Sequence, residues 1–132
     1  MGDVLGFNVE DAPEMGPVEE GQYTVRVTRE PEVRTGKNDA NVKFLLMFLE
    51  IVGEPTADDV VFCLFYPNPD KPEKQNNRTL GEMKKCLMSL GLPTDGTVTT
   101  EDFVNAEGQV ILSLREDDEG KMRNNVKEWV VE

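Results

Sequence analysis

The chain has 132 residues, with 14 Lys and Arg against 26 Asp and Glu, no His, and a net charge of −12. That length fits one domain around a single core. No apolar run approaches the roughly 18 residues of a membrane span, and the first residues lack the basic-then-apolar order of a signal peptide. Cys63 and Cys86 have no C-x-x-C spacing, which argues against zinc and for a reducing, cytoplasmic setting with both thiols buried as small hydrophobes.

The charge is unevenly spread. Residues 1–20 carry six acids and no base, and residues 21–132 carry 20 acids against 14 bases, so half of the excess sits in the first segment. Overall acidity opposes phosphate binding and suits a basic partner. An acidic tail of this kind is also what an intramolecular competitor of DNA would look like. Its apolar residues are Val4, Leu5, Phe7 and Val9, which predicts an extended arm over 1–20 tacked onto a domain over 21–132.

Beyond Gly21 the run Gln22 to Arg29 alternates, with Tyr23, Val25 and Val27 facing a core. Glu30 to Asn38 reads as a loop punctuated by Pro31 and Gly36. A second strand, about Ala40 to Val52, is apolar on both faces: Leu45, Met47, Leu49 and Ile51 on one, Phe44, Leu46 and Phe48 on the other. Only one set can enter a given core. The other lies under the arm or forms an exposed stacking platform. A third strand, Asp59 to Tyr66, repeats the doubled pattern, Val61, Cys63 and Phe65 against Val60, Phe62, Leu64 and Tyr66.

The proline-bearing stretch Pro67 to Asn77 reads as a loop. The one strong helical period follows, Leu80, Met83, Leu87 and Leu90, placing a helix over roughly Thr79 to Leu90 with Gly91 and Pro93 as stops. Thr99 to Asp102 can cap a short turn that seats Phe103. A fourth strand, Gln109 to Leu114, a turn at Glu116 to Gly120 and a fifth strand, Met122 to Val131, complete the chain. On the fifth, strict alternation puts Arg123, Asn125, Lys127, Trp129 and Val131 on one face and Val126 and Val130 on the other. Five strands with one helix between the third and fourth is the order of the OB-fold, an all-β class with one helix built as a five-stranded Greek-key barrel.

Catalysis finds no support in these residues. The acid pairs Asp58-Asp59 and Glu101-Asp102 are sequence neighbours that diverge, no nucleophile motif is present, and the commonest general base is missing. Glu116 to Glu119 lacks the ligand spacing of a calcium loop. The expectation is a non-enzyme without metal or cofactor. Binding of single-stranded nucleic acid fares better, because it needs aromatic faces interleaved with cations and no sequence-reading helix. The outward candidates are Arg26, Lys43, Phe44, Phe48, Phe62, Tyr66, Arg123, Lys127 and Trp129, with Arg34 and Lys37 in the first loop. Each has a plainer alternative: Phe62 and Tyr66 as core, Trp129 as a plug for the barrel end, Lys43 and Lys127 as solvated charges.

With these segments placed, the chain resembles phage-encoded single-stranded DNA-binding proteins of the OB-fold type. The resemblance rests on Phe7-Asn8-Val9-Glu10, the lead into Gly21-Gln22-Tyr23, and the Phe48-Leu49-Glu50-Ile51-Val52-Gly53 turn. Leu90-Gly91, Phe103-Val104-Asn105-Ala106-Glu107-Gly108 and Asn125-Val126 extend it over most of the chain. It implies sequence-tolerant coating of replication or recombination intermediates, with partners drawn from those processes and no membrane. The better-known bacterial proteins carry an acidic C-terminal tip, where this sequence reads Val130-Val131-Glu132. Homo-oligomerisation is left open, and the competing expectation is an acidic protein-interaction module, an inhibitor or assembly factor, that binds no nucleic acid.

Overall fold

A computed structural model describes residues 2–131; Met1 and Glu132, the outermost residues of the expected arm and domain, lie outside it. The chain forms β1 (Gly21–Val27), β2 (Glu32–Thr35), β3 (Lys43–Ile51), β4 (Val60–Phe65), α1 (Glu73–Ser89), a 3-10 turn at Thr100–Phe103, β5 (Glu107–Glu116) and β6 (Met122–Val130). All strand pairs are antiparallel in one six-stranded sheet ordered β2-β3-β1-β5-β6, with β4 on the other edge of β3. Among the described residues no helix is long and apolar enough to cross a membrane.

The first loop is where the element count departs from expectation. Val25 to Val27 pair with Ile51 to Leu49, and Glu32 to Thr35 then pair with Leu46 to Lys43 along the same edge of β3. β1 and β2 are therefore two segments of one interrupted strand. Buried Pro31, which lacks an N–H for the ladder, lies in the interruption. The fully exposed Glu-Val-Arg-Thr of β2 carries no apolar alternation that the sequence could have announced.

The helix also starts earlier than Thr79, at Glu73, with Pro72 as its N-cap. The loop before it is folded around two asparagines. Asn68 N–H donates to Asn76 Oδ1 (2.9 Å), and Asn76 Nδ2 donates back to Asn68 O (2.8 Å). The extra turns are polar and exposed, so an apolar period cannot reveal them. At the other end Gly91 takes φ 72°, and Leu92 N–H donates to Leu87 O at 2.8 Å, a Schellman-type stop. Where α1 meets the sheet, Ser89 Oγ accepts from Gln109 N–H and donates to Gln109 O, both at 3.0 Å. A Cβ on Gly108 would lie 2.9 Å from that Oγ, so glycine lets the helix approach this closely.

The core takes Val25, Val27, Leu45, Met47, Leu49, Ile51, Val60, Leu64, Val110 and Leu112 from the sheet, and Cys86, Leu90 and Phe103 from the helical segments. Trp129 joins them at 2% exposure. Its position corrects the strict alternation expected for the last strand. Ile111 faces Glu128 but Leu112 faces Val126, so Lys127 is an extra residue, a β-bulge that reverses the parity beyond it. Val126 and Trp129 consequently both point inward. The Trp129 ring meets Phe62 edge-on at 5.5 Å between centroids, and this contact joins β4 to β6 where no ladder does.

Of the arm, Gly16 to Glu20 are tied down. Gly16 bridges Ala57 in parallel, Asn124 donates to and accepts from the Val18 backbone (2.9 and 2.8 Å), and Glu20 Oε2 accepts from Leu114 N–H (3.1 Å). Residues ahead of Gly16 are exposed, Phe7 at 82%.

Trp129→Ala should lower unfolding stability by about 3–5 kcal/mol in urea titration, the range for losing a large buried aromatic. The native chain's tryptophan emission should be blue-shifted and should move to the red on unfolding. A near-neutral substitution would contradict the inward position of the ring.

Candidate nucleic-acid interface

The outer face of β2, β3 and β4 is defined by register. Arg34, Phe44 and Phe65 form one row across the three strands, Glu32, Leu46 and Cys63 a second, and Phe48 with Val61 a third. Phe44 and Phe65 are tilted at 48° with centroids 5.6 Å apart. Phe65 is 52% and Val61 51% exposed, so two large apolar side chains of a central hairpin face solvent. The Arg29 guanidinium lies 3.6 Å from the Phe48 ring centroid, a cation–π contact that keeps a cation beside the aromatics.

Charge around this face runs against the chain's average. Residues 29–43 contain four bases and three acids, a local surplus of one in a protein of −12. Lys37 sits in the exposed β2–β3 loop and Lys43 opens β3; among the described residues neither they nor Arg29 form ion pairs. Arg34 contacts Glu32 at 3.1 Å on the same edge strand, an exposed pair that is easily exchanged.

The structure brings only part of the expected set together. Phe44, Phe48 and Arg34 share this face and Lys37 lies in the adjoining loop, whereas Lys43 opens β3 with the parity of the core residues Leu45 and Met47. Phe62 does not belong to the outer face, because its register partner is core residue Met47 and its ring packs on Trp129. Tyr66 shares that inward parity just beyond β4 and packs against the core. Trp129 is enclosed and offers no face to a ligand. Arg26 is held by Glu50, with Glu107 at 3.9 Å.

Arg123 is committed to the β5–β6 turn. Its Nε donates to Asp117 Oδ2 at 2.9 Å, while Asp117 Oδ1 accepts from the N–H groups of Glu119 and Lys121. These contacts hold the Asp117 carboxyl below the usual carboxylate range. The acidic run thus serves the hairpin. Among the described residues no group of three Cys, Asp or Glu could hold a metal ion. Lys127, set out by its bulge, lines a groove along the unpaired β4–β6 seam with Phe62, Phe65, Thr79 and Glu82.

Three residues escaped the sequence reading. Phe65 and Val61 were legible only as one of two apolar sets, since their face depends on the pairing with β3. Arg29 carried no signal apart from its place beside a strand end.

Comparison with known proteins returns no matching family and no curated relative.

The two thiols offer a check on this geometry. Burial raises both from 9.0, Cys63 on the outer face modestly and Cys86 beneath α1 to about 12. At pH 8 a thiol reagent should modify one group per native chain, slowly, and two after unfolding. Because the folded Cys86 thiol ionises above its unfolded value, its contribution to stability is complete below about pH 9 and is lost between there and about pH 12. Two rapidly reactive thiols in the native chain would contradict the core position of Cys86.

Proposed function

We propose that this chain binds single-stranded DNA, without base specificity and without catalysis, on the outer face of the β3–β4 hairpin. The observation that carries the reading is the row Arg34–Phe44–Phe65, with Arg29 over Phe48 on the same face and Lys37 in the adjoining β2–β3 loop. Bases stack on exposed aromatic faces, and nearby cations neutralise phosphates. Strand order lends support. With β1 and β2 counted as one bent strand, the sequence of pairings and the helix following β4 match an OB-type Greek key, with side-chain contact at the β4–β6 seam in place of a closing ladder. The resemblance to phage-encoded single-stranded DNA-binding proteins would place this activity in replication or recombination.

A second reading, an acidic module that binds protein and no nucleic acid, is favoured by the net charge of −12 and by the exposed apolar arm. The two separate on affinity for oligo-dT.

Oligo-dT should bind more tightly than duplex of equal length, and more weakly as salt rises. Phe44→Ala and Phe65→Ala should each lose about 1–3 kcal/mol of binding. Replacing Arg34 and Lys37 together by Ala should flatten the logarithmic salt slope by about 0.7 per lost phosphate contact. Bound oligonucleotide should protect Cys63 from thiol reagents. Equal affinity for duplex, or no binding at low salt, would favour the protein-interaction reading.

A further inference from the structure

We infer, on the reading above that the β3–β4 face binds single-stranded DNA, that the cleft between the end of β4 and the start of α1 holds one unstacked nucleobase of that strand. The cleft has a volume of about 270 Å³, and its walls include Val42, Phe65, Tyr66, Asn68, Gln75 and Thr79. It falls just below the roughly 300–1,000 Å³ of sites for drug-sized ligands, so it suits a smaller ring. Phe65 ends the aromatic row and is also a wall of this cleft. Val42 stands two residues before Phe44, and Tyr66 N–H donates to Lys43 O at 2.9 Å, so the paired hairpin runs up to the cleft. A strand stacked along Phe44 and Phe65 reaches it at the end of the row.

The polar wall is rigid and holds one free donor. Asn68 is the buried polar side chain of the described residues, at 7% exposure. Its Oδ1 accepts from Asp70 N–H (2.9 Å), and its backbone N–H and O are both bonded to the Asn76 side chain. Asn41 Nδ2 donates to Asp70 Oδ2 at 2.6 Å and ties this wall to the turn before β3. Asn68 Nδ2 donates to nothing among the described residues. The side-chain atoms wholly buried without a partner there are Asp58 Oδ2 and Trp129 Nε1, so the exposed remnant of Asn68 includes this amide. An amide so nearly enclosed is costly to leave unpaired, and an acceptor on a ligand removes that cost. Gln75, at the exposed rim, adds an amide that can donate and accept.

These features select a base over a phosphate. Residues 70–74 set Asp70 and Glu73 against Lys71 and Lys74, so charge beside the cleft is balanced. Apolar walls next to an amide donor suit a flat ring with an acceptor on its edge. Unpaired bases are recognised in this way, stacked on an aromatic and hydrogen-bonded along an edge. Every base carries such an acceptor, so the subsite holds a base without choosing among the four.

Oligo-dT titrations followed by anisotropy and by amide NMR test the subsite. Bound oligo-dT should shift the side-chain amide pair of Asn68. Asn68→Asp keeps an oxygen for Asp70 N–H but loses the donor, and Gln75→Ala alters only the rim. Each should weaken binding about fivefold, on the order of one lost hydrogen bond, with tryptophan emission native. For Asn68→Asp the loss should persist as salt rises, whereas mere repulsion by the new carboxylate would fade. Should Asn68→Asp fail to fold, Gln75→Ala and the amide shift still decide. Oligo-dT that does not bind, or binds Phe44→Ala as tightly as the native chain, would overturn the DNA reading and the subsite with it. Binding that needs Phe44 but leaves the Asn68 amide unshifted, ignores Gln75→Ala, or responds to Asn68→Asp at low salt alone would overturn the subsite and spare the DNA reading.

Discussion

Trp129 reaches Phe62 because β6 takes one residue more than β5 at Lys127, and much of the architecture follows from that bulge. Without it Trp129 would stand on the solvent side and the inner end of β6 would present Glu128 to the core. With it, β6 bends and its largest side chain fills the space that a β4–β6 ladder would otherwise close. The edge-to-face pair adds about 0.5–1.5 kcal/mol beyond the area it buries. Among the described residues the indole N–H has no partner, a cost set against that gain. The seam is therefore held by packing, with α1 lying against both β4 and β6 beside it.

A chain of −12 can carry a locally cationic face because charges separated by more than a Debye length, about 8 Å at physiological ionic strength, are largely screened in water. The arm is fixed at Ala57, before β4 begins, whereas Phe65 closes that strand. At roughly 3.4 Å per residue, Val60 and Phe65 alone are about 17 Å apart, some two Debye lengths. The arm's path toward the β3–β4 turn increases the distance. Net charge then governs solubility and long-range encounter, while Arg34 beside Phe44 and Arg29 over Phe48 set the local field on the outer face. The sequence-level objection from acidity thus loses most of its force once the charges have positions.

What was legible in the sequence was whatever a single period encodes. In β3 the two alternating apolar sets were legible, but which of them enters the core, the Leu45, Met47, Leu49, Ile51 set, is decided by the pairing of the strand and not by its own period. The C-terminal half of α1 announced itself through Leu80, Met83 and Leu87. What was not legible depends on a second strand or a single inserted residue. The face of Phe65 is fixed by pairing with Phe44, and the inward turn of Trp129 by a bulge that strict alternation cannot contain. Polar segments without periodicity, β2 and the first turns of α1, were read as loops for the same reason.

The sheet edges narrow the kind of ligand the β3–β4 hairpin can take. An unpaired edge usually invites another strand, and natural sheets blunt such edges with charge, proline or bulges. β2 is short, preceded by Pro31 and faced with Glu32 and Arg34; β6 carries its bulge and Lys127 at the seam; the free edge of β4 looks toward Thr79, Glu82 and Lys127. Strand addition is therefore obstructed at each edge. The outer surface of the hairpin is not blunted in that way. Phe65 and Val61 stay half exposed on a hairpin whose opposite face is fully packed, and no core requirement accounts for an aromatic there. A ligand that lies across the strands and stacks on rings suits this surface better than one that extends the sheet, and an unpaired nucleic-acid strand has that shape.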